Sequence, residues 1–229
     1  MLDKREILYE DNHLIAVNKH AGMPVQTDHS GDMSLEEAVK MFIKERDGKP
    51  GAVFLGVIHR IDRPVSGVVL FAKSSKALVR MNEMVRDRRI DKRYLAIVSD
   101  RPAREEGELV HYIERNSSKN RSYAHTSPRG DSKEARLRYR VVGHSKHYCL
   151  LEIELITGRH HQIRAQLSKA VSPIKGDLKY GAPRSNPDGG ISLHARSVTF
   201  DHPVTKERMT IKAPLPQQSI WETFKELDL

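Results

Sequence analysis

One cysteine, Cys149, occurs among 229 residues. An internal disulfide is therefore excluded, and there is no cysteine cluster to hold a zinc ion. No apolar run reaches the length of a transmembrane helix, so no membrane role is expected. The start, Met1-Leu2-Asp3-Lys4-Arg5-Glu6, lacks the apolar core of a signal peptide. A reducing, cytoplasmic setting is the default. The length suffices for one substantial domain or two small ones, and with neither an internal repeat nor a low-complexity linker in the chain a single domain over residues 1–229 is expected. Acidic residues are in deficit, with 39 Lys+Arg against 30 Asp+Glu, a net charge of +9 and a pI near 9.6. Such a balance suits a polyanionic partner, and nucleic acid is the commonest soluble one.

The chain is organised around His59-Arg60-Ile61-Asp62-Arg63-Pro64-Val65-Ser66-Gly67, which is followed by the apolar run Val68-Val69-Leu70-Phe71-Ala72-Lys73. A carboxylate between two arginines is held ionised, because nearby positive charge favours the charged form. Pro64 fixes its own φ and biases Arg63 towards extended geometry, while Gly67 permits backbone shapes other residues resist. Taken alone, the run also fits an ordinary charged turn before a strand.

Elsewhere the pattern predicts familiar elements. His13 to Lys19 reads as a strand ended by Gly22 and Pro24. Ser34-Leu35-Glu36-Glu37 is a capping box opening a helix with Leu35, Ala38, Val39, Phe42 and Ile43 at helical spacing. A second helix is expected from Ser75 to about Arg89, with Leu78, Met81 and Val85 as its buried stripe and Ala77 and Met84 flanking. Five basic residues in Arg86 to Arg93 close it and lead into a strand, Tyr94 to Val98. From Arg101 to Asp131 the chain is polar and turn-rich. It reads as loops or a short hairpin in which Arg115, Lys119, Arg121 and Arg129 could touch phosphates. Arg136 to Val141 alternates as a strand with one apolar and one basic face, and His147 to Ile156 is another strand. A hairpin turns at His202 to Glu207, and Ser219 caps a terminal helix.

The Asp62 run closely resembles the signature of the RluA-like RNA pseudouridine synthases, His-Arg-Leu-Asp-Arg-x-Thr-Ser-Gly followed by an apolar strand ending in Ala-Lys. Ile61 replaces the usual leucine and Val65 the usual threonine, so a hydroxyl beside the site is lost. Asp11 to Val25 resembles the family's first motif, with Lys19-His20 for lysine-proline. Lys92-Arg93-Tyr94-Leu95-Ala96-Ile97-Val98 matches a third pattern, Lys/Arg-x-Tyr-x-Ala-x-Val. Thr157-Gly158-Arg159-His160-His161-Gln162-Ile163-Arg164 matches Thr-Gly-Arg-Thr-His-Gln-Ile-Arg, with His160 for threonine. Gly176-Asp177-Leu178-Lys179-Tyr180-Gly181 and Leu193-His194-Ala195 match two weaker motifs in the same order. Read as a helix, the run from Thr157 puts His160 and Arg164 on one face. Adjacent helical histidines then point apart with no carboxylate at ligand spacing, so no metal is expected.

The resemblance implies a pseudouridine synthase fold of the α+β class. A mixed, mainly antiparallel sheet is flanked by helices and crossed by a central RNA-binding cleft, without the amino-terminal RNA-binding domain that many members carry. It implies that uridines in structured ribosomal or transfer RNA are isomerised to pseudouridine by a monomer. Asp62 is the catalytic aspartate, Arg164 its paired cation, and Tyr94 the ring facing the target base. Arg60 supports base flipping, and His59, Arg63, Arg159, His161, Gln162 and Ile163 complete the substrate-binding set. The reaction breaks N1–C1′ and rejoins the base through C5 without redox change, so no cofactor is expected. Whether Asp62 attacks C1′, adds to C6 or takes a sugar proton stays open. A non-catalytic RNA-binding or ribosome-assembly protein is the alternative. A hydrolase ranks last, because no second carboxylate stands near the signature.

Overall fold

The computed structural model describes residues 2–224 and 227. In chain order the elements are β1 (Ile7–Glu10), β2 (Leu14–Lys19), α1 (Leu35–Arg46), β3 (Gly56–Val57), β4 (Ser66–Ala72), α2 (Ser75–Arg86), β5 (Asp91–Val98), β6 (Glu106–Asn116), β7 (Arg121–His125), β8 (Lys133–His144), β9 (Cys149–Leu155), α3 (Gln162–Ala170), β10 (Leu193–Asp201), β11 (Arg208–Lys212) and α4 (Ser219–Glu222). The chain divides into two compact units, Met1–Ile90 with Ala195–Pro214, and Asp91–His194 with Leu215–Leu229. No repeat or low-complexity linker marks that division in the sequence.

In the first unit β2 pairs antiparallel with β1 and with β4, β3 adds to β4, and β10 lies beside β4 and pairs with β11. Leu14 to Val17 and Val68 to Ala72 are fully buried, residue after residue rather than alternately. Such continuous burial marks strands covered on both faces. The capping box of α1 is formed as the sequence predicts, with Ser34 and Glu37 each accepting the other's backbone N–H. Helix α2 stops at Arg86, three residues early, because Arg88 takes a left-handed conformation (φ 56°). Its buried stripe is also rotated from expectation. Ala77, Met81 and Met84 are the buried positions, while Leu78 and Val85 sit at the edge. Leu78 covers Gly56, where even a Cβ would come within 2.6 Å of it.

In the second unit the strand order is β5-β9-β8-β6-β7, antiparallel throughout. The stretch from 101 to 131, expected as loops or a short hairpin, holds a hairpin in which the 11-residue strand β6, longer than expected, folds onto β7. Its polar composition misleads because one face is solvated. Few side chains of β6 turn inward, His111 and Ile113 chief among them, and these pack beneath α3. In β8 the predicted alternation holds, with Ala135, Leu137 and Tyr139 buried. The terminal helix α4 has Gln218 rather than Ser219 at its N-cap position, with no side-chain capping bond, and buries Trp221 against Leu95, Ile97 and Leu150. The α+β class with a mainly antiparallel sheet and flanking helices stands.

Candidate active site

His59, Arg60, Asp62 and Arg63 belong to the first unit, and Tyr94, Arg159, His161, Gln162, Ile163 and Arg164 to the second. Each group has its own internal network.

Asp62 opens a tight turn closed by the Val65 N–H, which donates to the Asp62 carbonyl at 3.0 Å. Val65, where the family pattern has threonine, is buried at 2% exposure and packs rather than hydrogen bonds. The Arg63 carbonyl at the middle of the turn accepts from the Gly22 N–H at 2.9 Å and from Lys19 Nζ at 3.0 Å. Lys19 is fully buried, and its other two bonds go to the carbonyls of His20 and Met23, both at 2.8 Å. Three acceptors match the three protons of an ammonium. Burial pulls its pKa down to about 7, while the negative charge of Asp62 acts the other way. Gly67 fixes the far end of the run. Its φ is +116°, and a Cβ there would lie 2.3 Å from the Ala195 carbonyl oxygen. Only glycine tolerates both, so the signature and the Leu193-His194-Ala195 motif meet at this point.

The loop arginines have partners of their own. Arg63 pairs with Asp32 at 2.5 Å and lies 3.9 Å from Asp28, and Arg60 reaches the Gln26 amide oxygen at 3.4 Å. The Leu70 N–H donates to His59 Nε2 at 3.2 Å, so the His59 ring braces the strand that leaves the turn.

The second group surrounds the first turn of α3. The helix begins at Gln162, after His160, because His161 takes a left-handed conformation (φ 52°). His160 therefore lies outside the helix, and the shared face with Arg164 is corrected. The two histidine rings do not point apart but stack, 3.8 Å between centroids. Gln162 is spent on the loop. Its oxygen accepts from Thr157 Oγ1 at 2.8 Å and the Arg159 N–H at 3.0 Å, and its nitrogen donates to the Arg136 carbonyl at 3.0 Å. Arg159 itself is exposed and donates through Nε to the Glu134 carbonyl at 3.1 Å. Ile163 is buried in the core. Arg164 grips Asp177 through Nε at 2.7 Å and Nη2 at 2.9 Å, with both side chains almost fully buried. This fork geometry is the strong form of an ion pair. Tyr94 is buried on β5, opposite Ile153.

Residues 13–169 match the family described as RNA pseudouridylate synthase. An uncharacterized RNA pseudouridine synthase of Bacillus subtilis is 31% identical over 214 residues, covering 93% of this chain and 69% of that protein. The chain belongs to the RNA pseudouridylate synthase family. Members are isomerases acting on RNA. The ribosomal large subunit pseudouridine synthase D of Xylella fastidiosa is 33% identical over 226 residues, and the chain spans 66% of it. Among solved structures, human RNA pseudouridylate synthase domain containing 4 superposes with a TM-score of 0.76 at 24% identity, over 93% of this chain and 89% of that one, and supports the fold.

For a pseudouridylate synthase, sequence reasoning left three residues without a role. Asp177 and Tyr180 stand in the weak Gly-Asp-x-x-Tyr-Gly motif. The first neutralises Arg164, and the second accepts from the Ser122 N–H at 2.8 Å and bonds His161 Nδ1 at 3.0 Å. The phenol oxygen thus joins the Ser122 main chain to the His161 ring. That ring is buried and held neutral, its pKa pushed down to about 2 by burial and then by Arg164. Lys19 is the third. A lone lysine at the end of an apolar strand was the available signal.

Proposed function

We propose that this chain isomerises specific uridines in structured RNA to pseudouridine, with Asp62 as the reacting carboxylate. The observation that carries the reading is a carboxylate on a turn whose main chain is fixed from two sides, by Lys19 and Gly22 on the Arg63 carbonyl. Phosphate binding alone has no use for a rigidly held acid. In the isomerisation the N1–C1′ bond breaks, C5 bonds to C1′, the C5 proton leaves to solvent and N1 gains one. No electrons are exchanged, so the protein's task is placement and charge.

Arg164 and Tyr94 enter through the family resemblance, as the cation paired with the acid and the ring under the uracil. Stacking of that kind contributes roughly 1–3 kcal/mol per base. Arg60, exposed and only weakly tied to Gln26, suits the space left by a flipped base, since a guanidinium both stacks and hydrogen bonds. Ribosomal RNA is the favoured substrate, because several relatives are named as large-subunit enzymes. Transfer RNA is the other candidate. Chemical mapping of pseudouridine in ribosomal and transfer RNA, from cells with and without the gene, tests the reading. A site lost on deletion and restored by the wild-type gene supports it. Identical maps contradict it.

A further inference from the structure

Arg115, Lys119, Arg121 and Lys179 gather around the β6–β7 turn, and among the described residues none has a carboxylate partner. Arg115 faces Ser122 and Asn116 faces Arg121 in the strand register. Lys179 Nζ donates to the Asn120 carbonyl at 3.0 Å. The Arg121 guanidinium lies 5.4 Å from the Tyr123 ring centroid and 5.1 Å from that of Tyr180, and its buried Nε meets no acceptor. Arg115, Lys119 and Lys179 are exposed.

Like charges at a hairpin end repel, and an unsupported turn would splay. This one is pinned. Ser122 Oγ lies 2.8 Å from His160 Nδ1, and His160 Nε2 lies 3.2 Å from the Asn120 amide oxygen. The amide oxygen only accepts, so Nε2 carries the proton and Nδ1 accepts from the serine hydroxyl. The Ser122 N–H is held by Tyr180, and His161 backs the His160 ring. Fixed cations without counter-charge are costly for the fold by themselves, and an arriving anion relieves them.

Resting on the reading of an RNA substrate, we infer that the β6–β7 turn, pinned by His160, is a phosphodiester-binding platform for that RNA. His160 is a positioning residue: it holds the cations in place and does no chemistry. The arginines of β8 provide an internal control. Arg136, Arg138 and Arg140 form a comparable surface cluster of three, but each faces glutamates from neighbouring strands.

The test uses the full chain and a synthetic RNA hairpin, with affinity measured across a salt series. Each phosphate contact contributes nearly one unit to the log–log slope. Arg115→Gln with Lys119→Gln is expected to lower the slope by about two units, and affinity at low salt at least tenfold. Arg138→Gln with Arg140→Gln leaves the slope unchanged. His160→Ala keeps the charge but weakens binding severalfold and speeds amide exchange over residues 117–122. His160→Gln, which retains a donor and an acceptor, recovers part of both. An unchanged slope in the Arg115/Lys119 variant, or an equal loss in the β8 variant, overturns the platform. Normal pseudouridine formation with an unchanged slope overturns the platform alone. A steep wild-type slope with no pseudouridine formed overturns the isomerase reading and leaves the platform standing.

Discussion

Two buried cations hold the two halves of the candidate machinery, and they do so in opposite ways. Lys19 braces the Asp62 turn through three main-chain carbonyls. Arg164 braces the start of α3 through a forked ion pair with Asp177. A lysine's point charge suits carbonyls converging from several directions, and its proton is negotiable when buried. An arginine's planar fork suits one carboxylate and stays charged. The turn carrying the acid therefore rests on neutral acceptors, and the negative charge of Asp62 acts on Lys19 without a direct ion pair being needed to hold the turn. The α3 turn rests instead on a full ionic partner, the buried carboxylate of Asp177.

The comparison predicts its largest effect at Arg164. Arg164→Met leaves Asp177, 1% exposed, without its counter-charge, and breaking a buried pair this way costs about 3–5 kcal/mol. Thermal melting should fall by about 10 °C. Adding Asp177→Leu should recover most of that stability, since an apolar pair of similar volume is tolerated. Activity should stay lost if Arg164 also serves the reaction. A double variant that regains both confines Arg164 to a structural role.

Lys19→Met comes next. It takes the lysine donor from the His20 and Met23 carbonyls, leaves the Arg63 carbonyl only the Gly22 N–H, and should cost on the order of 2–3 kcal/mol in denaturant unfolding. A loss below about 0.5 kcal/mol would mean the turn is held by other contacts.

The pH dependence is a subtler test. The folded pKa of Lys19 is lowered to about 7 from 10.5. Between those values the unfolded chain keeps a proton that the folded chain releases, so stability from this group rises with pH across that window. Below about 7 both states are protonated and the contribution is flat. The gap in unfolding free energy between wild type and Lys19→Met should therefore widen from pH 7 to pH 10. A constant gap would mean the three carbonyls hold the lysine protonated throughout. The smallest effect belongs to Arg138→Ala on the β8 face, within about 0.5 kcal/mol, as for most exposed ion pairs.

Much of the site was legible because its residue types are unusual in combination. An aspartate between arginines before Pro and Gly marks Asp62. The Gly67 requirement followed from backbone freedom, though its cause, the Ala195 carbonyl, lies far along the chain. What the sequence concealed was of two kinds. Local conformation was hidden where a non-glycine residue adopts positive φ, as at Arg88 and His161, and both helix boundaries shifted there. Charge partners were hidden because they come from distant strands. The basic face read from Arg136 to Arg140 is neutralised by Glu108, Glu152 and Glu154, whereas cations in the supposed loop at 115–121 keep their charge. Counting arginines along the chain cannot tell these cases apart.

The most direct test of the central claim is tritium release from RNA labelled at uridine C5, comparing wild type with Asp62→Asn under single-turnover conditions. Tritium leaves only when C5 is rebonded, so the signal reports the isomerisation itself. The account predicts release by wild type and loss of at least a thousandfold in the variant, about 4 kcal/mol or more in the barrier. Melting temperature and hairpin affinity should stay near wild type. Release by Asp62→Asn within tenfold of wild type would contradict it.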